Sequence, residues 1–191
     1  MIFGYTLLTE ILGNIIRQHE DFQIVFLEQF ADYNNVVYNV FDVIFFLYFF
    51  YVFWNSLIKE KHKRIVVYGT TSYIIVSFIN VFIQDPMLFP QIYAIGVGSI
   101  TMIISVLLYF KELRLRSSLS VPNKNNLLFW LGIGLLFFYI CYPFFMTIGI
   151  FHYELYKILH LKHLLYASIV LMYSCFIYGF LKMRRLKAIQ P

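Results

Sequence analysis

The basic residues of this chain are gathered into three short clusters, and the apolar stretches between the clusters are long enough to cross a lipid bilayer. Lys59, Lys61, Lys63 and Arg64 form the first; Lys111, Arg114, Arg116 and Lys124 the second; Lys182, Arg184, Arg185 and Lys187 the third. Only Arg17, Lys157 and Lys162 lie elsewhere. Membrane proteins collect Lys and Arg in their cytoplasmic loops, so the pattern constrains both environment and orientation.

Composition agrees. The chain is 61% hydrophobic and 13% charged, against roughly 45–50% and 25% for a soluble domain. A mean hydropathy of +0.73 would leave too much apolar surface on a water-soluble globule. The net charge of +5 flanks apolar runs, where it anchors helix ends and meets anionic lipid heads. It does not interleave with aromatics on an exposed surface, so no nucleic-acid partner is expected. Cys141 and Cys175 both fall within apolar runs, and no disulfide framework or zinc ribbon follows from two such thiols. The first apolar run has no basic leader or small-residue cleavage site and carries Glu10 in its middle, unlike a signal peptide.

Six apolar segments are predicted, covering residues 2–16, 36–58, 65–84, 92–110, 127–151 and 164–181. About 20 helical residues span the hydrocarbon core. The first segment is short, so it crosses steeply, lies in the interface or re-enters. Apolar residues fall on consecutive rather than alternate positions, which favours helices over a barrel. The expected fold is an all-α transmembrane bundle forming one domain, 1–191, surrounded by the lipid bilayer as a multi-pass protein of the bacterial inner membrane. Placing 59–64, 111–126 and 182–191 inside gives six crossings with both termini cytoplasmic. Loops 18–34 and 85–91 hold no Lys or Arg, loop 152–163 holds Lys157 and Lys162, and loop 18–34 carries Glu20, Asp21, Glu28 and Asp32. Pro86 and Pro90 mark a tight turn between the third and fourth segments. Pro143 lies inside the fifth and is expected to kink it.

Ionisable groups at membrane depth are costly and face a bundle interior or a cavity. Glu10 and Asp42 are the two here, each predicted roughly 10 Å below the outer boundary. Thr6, Glu10, Asn14 and Arg17 share one helical face; so do Asn35, Asn39 and Asp42, and Tyr73, Ser77, Asn80 and Gln84. Tyr142, beside Pro143, lies at similar depth. An outward-opening polar cavity with Glu10, Asn14, Asn39, Asp42, Asn80 and Tyr142 as ligand or proton sites accounts for these stripes. Polar side chains also bind helices to one another, and Asn14, Asn39, Ser77 and Asn80 fit that role equally. Arg17 is a candidate counter-ion for Asp42 or Glu10. Small residues on three segments suggest close helix contacts: Gly96, Gly98, Thr101 and Ser105; Gly132 and Gly134; Ser168, Cys175 and Gly179.

Several chemistries are set aside. No mid-membrane lysine offers a Schiff base, and no span carries the serial arginines of a voltage sensor. The five histidines fall in loops or at interfaces; His160 and His163 near Glu154 form only a weak metal pattern. No nucleophile set supports an enzyme, and no cofactor or metal is expected.

Four stretches together resemble a known family: Gly4–Glu10 (GYTLLTE), Tyr33–Asn39 (YNNVVYN), Leu108–Leu113 (LYFKEL) and Phe129–Pro143 (FWLGIGLLFFYICYP). They resemble uncharacterised bacterial inner-membrane proteins of about seven spans, themselves distantly similar to the seven-helix sensor regions of membrane histidine kinases. The resemblance implies one further helix before Gly4; with no kinase or cyclase sequence after Pro191, signalling is expected to pass through a membrane or cytoplasmic partner, with an oligomer left open. The expected function is a non-enzymatic sensory or regulatory membrane module. A small transporter or an ion or proton pathway using the same carboxyls is the alternative.

Overall fold

The computed structural model describes residues 2–18, 35–117 and 127–189, and every regular element among them is helical. The helices are α1 (Ile2–Gln18), α2 (Asn35–Ser56), α3 (Glu60–Ile83), α4 (Ile92–Ser117), α5 (Leu127–Phe151), α6 (Tyr153–Ile158) and α7 (Leu161–Ile189). Five of them (α2, α3, α4, α5 and α7) are long and apolar enough to cross a membrane, which marks a multi-pass membrane protein by length and composition. α1 has 17 residues and is shorter than these.

Several helices outrun the apolar segments. α3 begins at Glu60, so Lys61, Lys63 and Arg64 lie on its first turn rather than in a loop. α4 continues past residue 110, carrying Lys111, Arg114 and Arg116 on its last turns. α7 starts at Leu161 and runs beyond 181. Lys, Arg and Glu are good helix formers, and their long stems let the charge leave the apolar layer without ending the helix. The predicted loop 152–163 contains α6, and His160 takes a left-handed φ of 48° where the chain turns into α7. α5 runs through Pro143 to Phe151, and Thr147 Oγ donates to the Pro143 carbonyl at 2.7 Å. Residues 19–34 of the predicted loop 18–34, the linker after Ser117 as far as Asn126, and the side chains of Arg116, Arg184, Arg185 and Lys187 lie outside the described residues.

The core is aromatic. Phe46, Phe49, Phe50 and Phe53 of α2 are almost fully buried, against Tyr73 of α3, Met102 and Tyr109 of α4, and Leu135 and Tyr139 of α5. Phe46 lies with its ring centroid 5.1 Å from that of Tyr73 and 4.9 Å from that of Tyr139. Lipid tails are as apolar as these rings, so close packing, and not expulsion from water, holds them together. Small residues permit that closeness at particular points. A Cβ on Gly134 would stand 2.9 Å from the Met172 carbonyl oxygen of α7, and one on Gly98 would stand 2.9 Å from the Phe46 ring. Gly132 faces Phe110 and Val106. Gly179 faces Trp130 and Leu127. Gly96 meets nothing within 4 Å, so its expected packing role is not found.

The antiparallel order gives the bundle two unlike ends. At one, α2 and α4 finish and α3 begins, and the basic residues gather there. Lys63 Nζ lies 5.5 Å from the Trp54 ring, and Lys182 Nζ 5.5 Å from the Trp130 ring. At the other, α2, α4 and α7 begin and α3 and α5 finish, around the 84–91 turn.

Candidate functional site

The second end is built on amides. Asn35 Nδ2 donates to the Leu88 carbonyl at 2.7 Å. Asn39, one helical turn on, donates to the carbonyls of Pro86 (2.8 Å) and Phe89 (3.0 Å) and accepts the Gln91 N–H (3.2 Å). Asn80, 1% exposed, donates to Gln84 Oε1 and Gln91 Oε1. Gln84 Oε1 also accepts the Ile92 N–H at 3.1 Å, capping the first turn of α4. Asp85 closes the turn by accepting the Met87 N–H at 2.8 Å. Asn39 and Asn80 are thus spent on fixing the 84–91 turn to α2 and α3, and the turn roofs this end of the bundle.

One turn below Asn39, Asp42 stands apart. Among the described residues its carboxyl makes no hydrogen bond and no ion pair. It lines two cavities that flank α2. The larger, ≈ 510 Å³, lies between α1, α2, α5 and α7, with Thr6, Tyr38, Tyr139, Tyr142 and Tyr166 among its walls. The smaller, ≈ 340 Å³, lies between α2, α3 and α4, with Tyr73, Ser77 and Gln91 among its walls. Asn39 and Asp42 are common to both. Tyr73, Tyr139 and Tyr142 lie within electrostatic reach of the Asp42 carboxyl. Asp42 is seven residues into α2, about 10 Å along the helix from Asn35.

The structure brings Asn39, Asp42 and Tyr142 to one cavity and sends Asn80 into the neighbouring amide network. Asn14 is exposed and lines neither cavity. Thr6, Thr9, Gly13 and Ile16 form the buried face of α1, one position round from the anticipated stripe. The side chains of Glu10 and Arg17 lie outside the described residues. His160 and His163 set their rings 5.8 Å apart, and among the described residues no group of three His, Cys, Asp or Glu could hold a metal.

A buried carboxyl, which the sequence reading passed over, lies at the basic end. Glu112 of α4 is 3% exposed. Its Oε2 accepts the Ile58 N–H at 2.7 Å, and its Oε1 accepts the Lys59 N–H at 3.1 Å. His62 Nδ1 lies 2.7 Å from Oε1. A carboxylate accepts only, so this contact puts a proton on Nδ1. Glu112 therefore clamps the α2–α3 turn to α4, accepting the two amides just ahead of α3, Ile58 and Lys59.

No family model, curated protein or solved structure matches this chain. Function therefore rests on the geometry of its own side chains.

Proposed function

We propose that the chain is a sensory or regulatory module of the bacterial inner membrane, with a ligand cavity open to the outer side. In this reading α1 also crosses, giving six crossings and cytoplasmic termini. The basic end then lies at the inner leaflet, as the positive-inside tendency requires. The observation that carries the reading is Asp42. A carboxyl without a protein partner is an expensive group to keep at membrane depth, and such groups mark functional sites by default. Two cavities beside it give water or a ligand access to it. The resemblance to uncharacterised inner-membrane proteins, themselves distantly similar to sensor regions of membrane histidine kinases, points the same way.

A solute or proton pathway needs continuity to the far side. Below the cavities, Phe46, Phe49, Phe53, Met102 and Leu135 pack with almost no exposed surface, which favours a site with a floor over a conduit. Flux measurements on the full chain in proteoliposomes test this. The expected result is no proton or solute flux above that of protein-free vesicles. Flux abolished by Asp42→Asn would replace the sensor reading with transport.

A further inference from the structure

The chemistry around Asp42 narrows the class of ligand. This step rests on the ligand-cavity reading above. An inorganic cation gives up its hydration shell only to several oxygen ligands. Among the described residues the cavity offers one carboxyl free of hydrogen bonds, that of Asp42, since Asn39 is already committed to the turn. The other walls are mostly rings and aliphatic side chains, with Phe41, Phe45, Tyr139, Tyr142, Tyr166 and Tyr173 among them. Aromatic faces attract cations that carry apolar substituents, and one buried counter-charge completes such a cage.

One of these rings already meets a cation on its exposed side: Lys162, which does not line the cavity, sets its Nζ 5.9 Å from the centroid of the Tyr166 ring. The volume, ≈ 510 Å³, is in the range of small-molecule sites, about 300–1,000 Å³.

We infer that the larger cavity binds a monovalent organic cation, an alkylated ammonium, with its charge against Asp42 and its substituents against the rings of Tyr139 and Tyr142.

The test uses the full chain in lipid nanodiscs. Tetramethyl-, tetraethyl- and tetrapropylammonium chloride are titrated by calorimetry, along with choline and its neutral isostere 3,3-dimethylbutan-1-ol, with sodium chloride matching ionic strength. Saturable binding of at least one tetraalkylammonium is expected, and choline is expected to bind more tightly than the isostere. Asp42→Asn should weaken cation binding about tenfold or more, because it removes the counter-charge. Tyr142→Leu should weaken it severalfold while Tyr142→Phe retains it, since the ring and not the hydroxyl makes the contact. Equal binding of choline and the isostere would overturn the cationic class. Absence of saturable binding by every ammonium would overturn it as well. Labelling of an Asp42→Cys variant from the outer side separates the two levels. A labelled cysteine with no cation binding removes this inference alone, whereas an unlabelled one removes the outward cavity with it.

Discussion

Among the described residues each end of the bundle contains one inward-set carboxyl, and the two are treated in opposite ways. Glu112 at the basic end is enclosed by donors: two backbone amides and an imidazole. Asp42 at the other end faces cavities and, among the described residues, has no donor at all. Burying a carboxylate is tolerable when its lone pairs are filled and costly when they are not. Glu112 is therefore a structural part, fixing a turn that joins two spans. Asp42 contributes nothing of that kind among the described residues, which is the ground for proposing that it serves something that enters from outside. The neighbouring amides sharpen the contrast: the side-chain nitrogens of Asn35, Asn39, Asn80 and Gln91 donate to one another's oxygens, to Gln84 or to the 84–91 turn, while the buried Asn80 Oδ1 has no partner among the described residues.

Replacing the two carboxyls tests this difference from its strong side first. Glu112→Ala leaves the Ile58 and Lys59 amides and the His62 ring without their acceptor, and should cost about 3 kcal/mol or more. Unfolding of the full chain in mixed detergent micelles would read that loss. A cost near zero would mean that the clamp is ornamental and the two ends are alike.

A smaller effect is expected at the amide latch. Asn39→Ala removes contacts to Pro86, Phe89 and Gln91 from a partly exposed site, for about 1–2 kcal/mol. The loss should be local, seen as faster hydrogen exchange at the Gln91 amide with α5 and α7 unchanged. Uniformly faster exchange would show that the turn supports the whole bundle and not just the cavity roof.

The smallest effect belongs to Asp42. Asp42→Asn should change stability by no more than about 0.5 kcal/mol, or raise it, as replacements at functional positions commonly do. A loss comparable to that of Glu112→Ala would assign Asp42 a structural partner and end the contrast.

How far the sequence could be read depends on what each feature needs. Five long apolar helices and the basic ends follow from composition along the chain, because lipid demands an internally paired backbone. The segment 127–151 coincides with α5, since polar residues, Asn125 and Asn126 before it and His152 after it, bound the apolar run on both sides. Helix ends that carry Lys, Arg or Glu were drawn short, because apolarity fades there while helical pairing continues. The Asn35, Asn39 and Asp42 stripe was legible from its i, i+4, i+7 spacing. What separates Asn39 from Asp42 was not: that depends on the 84–91 turn reaching back to α2 across about 50 residues of sequence. Glu112 was hidden among Lys111, Arg114 and Arg116, where it passed for part of a solvated surface. A signal did exist, because Ser105, Tyr109 and Glu112 repeat at i, i+4, i+7 along the buried face of α4. Tyr139 lay on the same face as Tyr142 but was indistinguishable in sequence from the many other rings of α5.

The most direct measurement is solvent access to position 42. Asp42→Cys is placed in a chain whose native thiols, Cys141 and Cys175, are replaced by alanine, and intact cells are treated with a membrane-impermeant thiol reagent. Asp85→Cys serves as the exposed marker at the same end, and Lys61→Cys as the marker at the basic end. Labelling of positions 42 and 85 from outside, with position 61 reached only after the membrane is opened, is the expected result. If position 42 stays unreactive until the protein is denatured, or reacts only from the inner face together with position 61, Asp42 does not line an outward cavity and the functional account is contradicted.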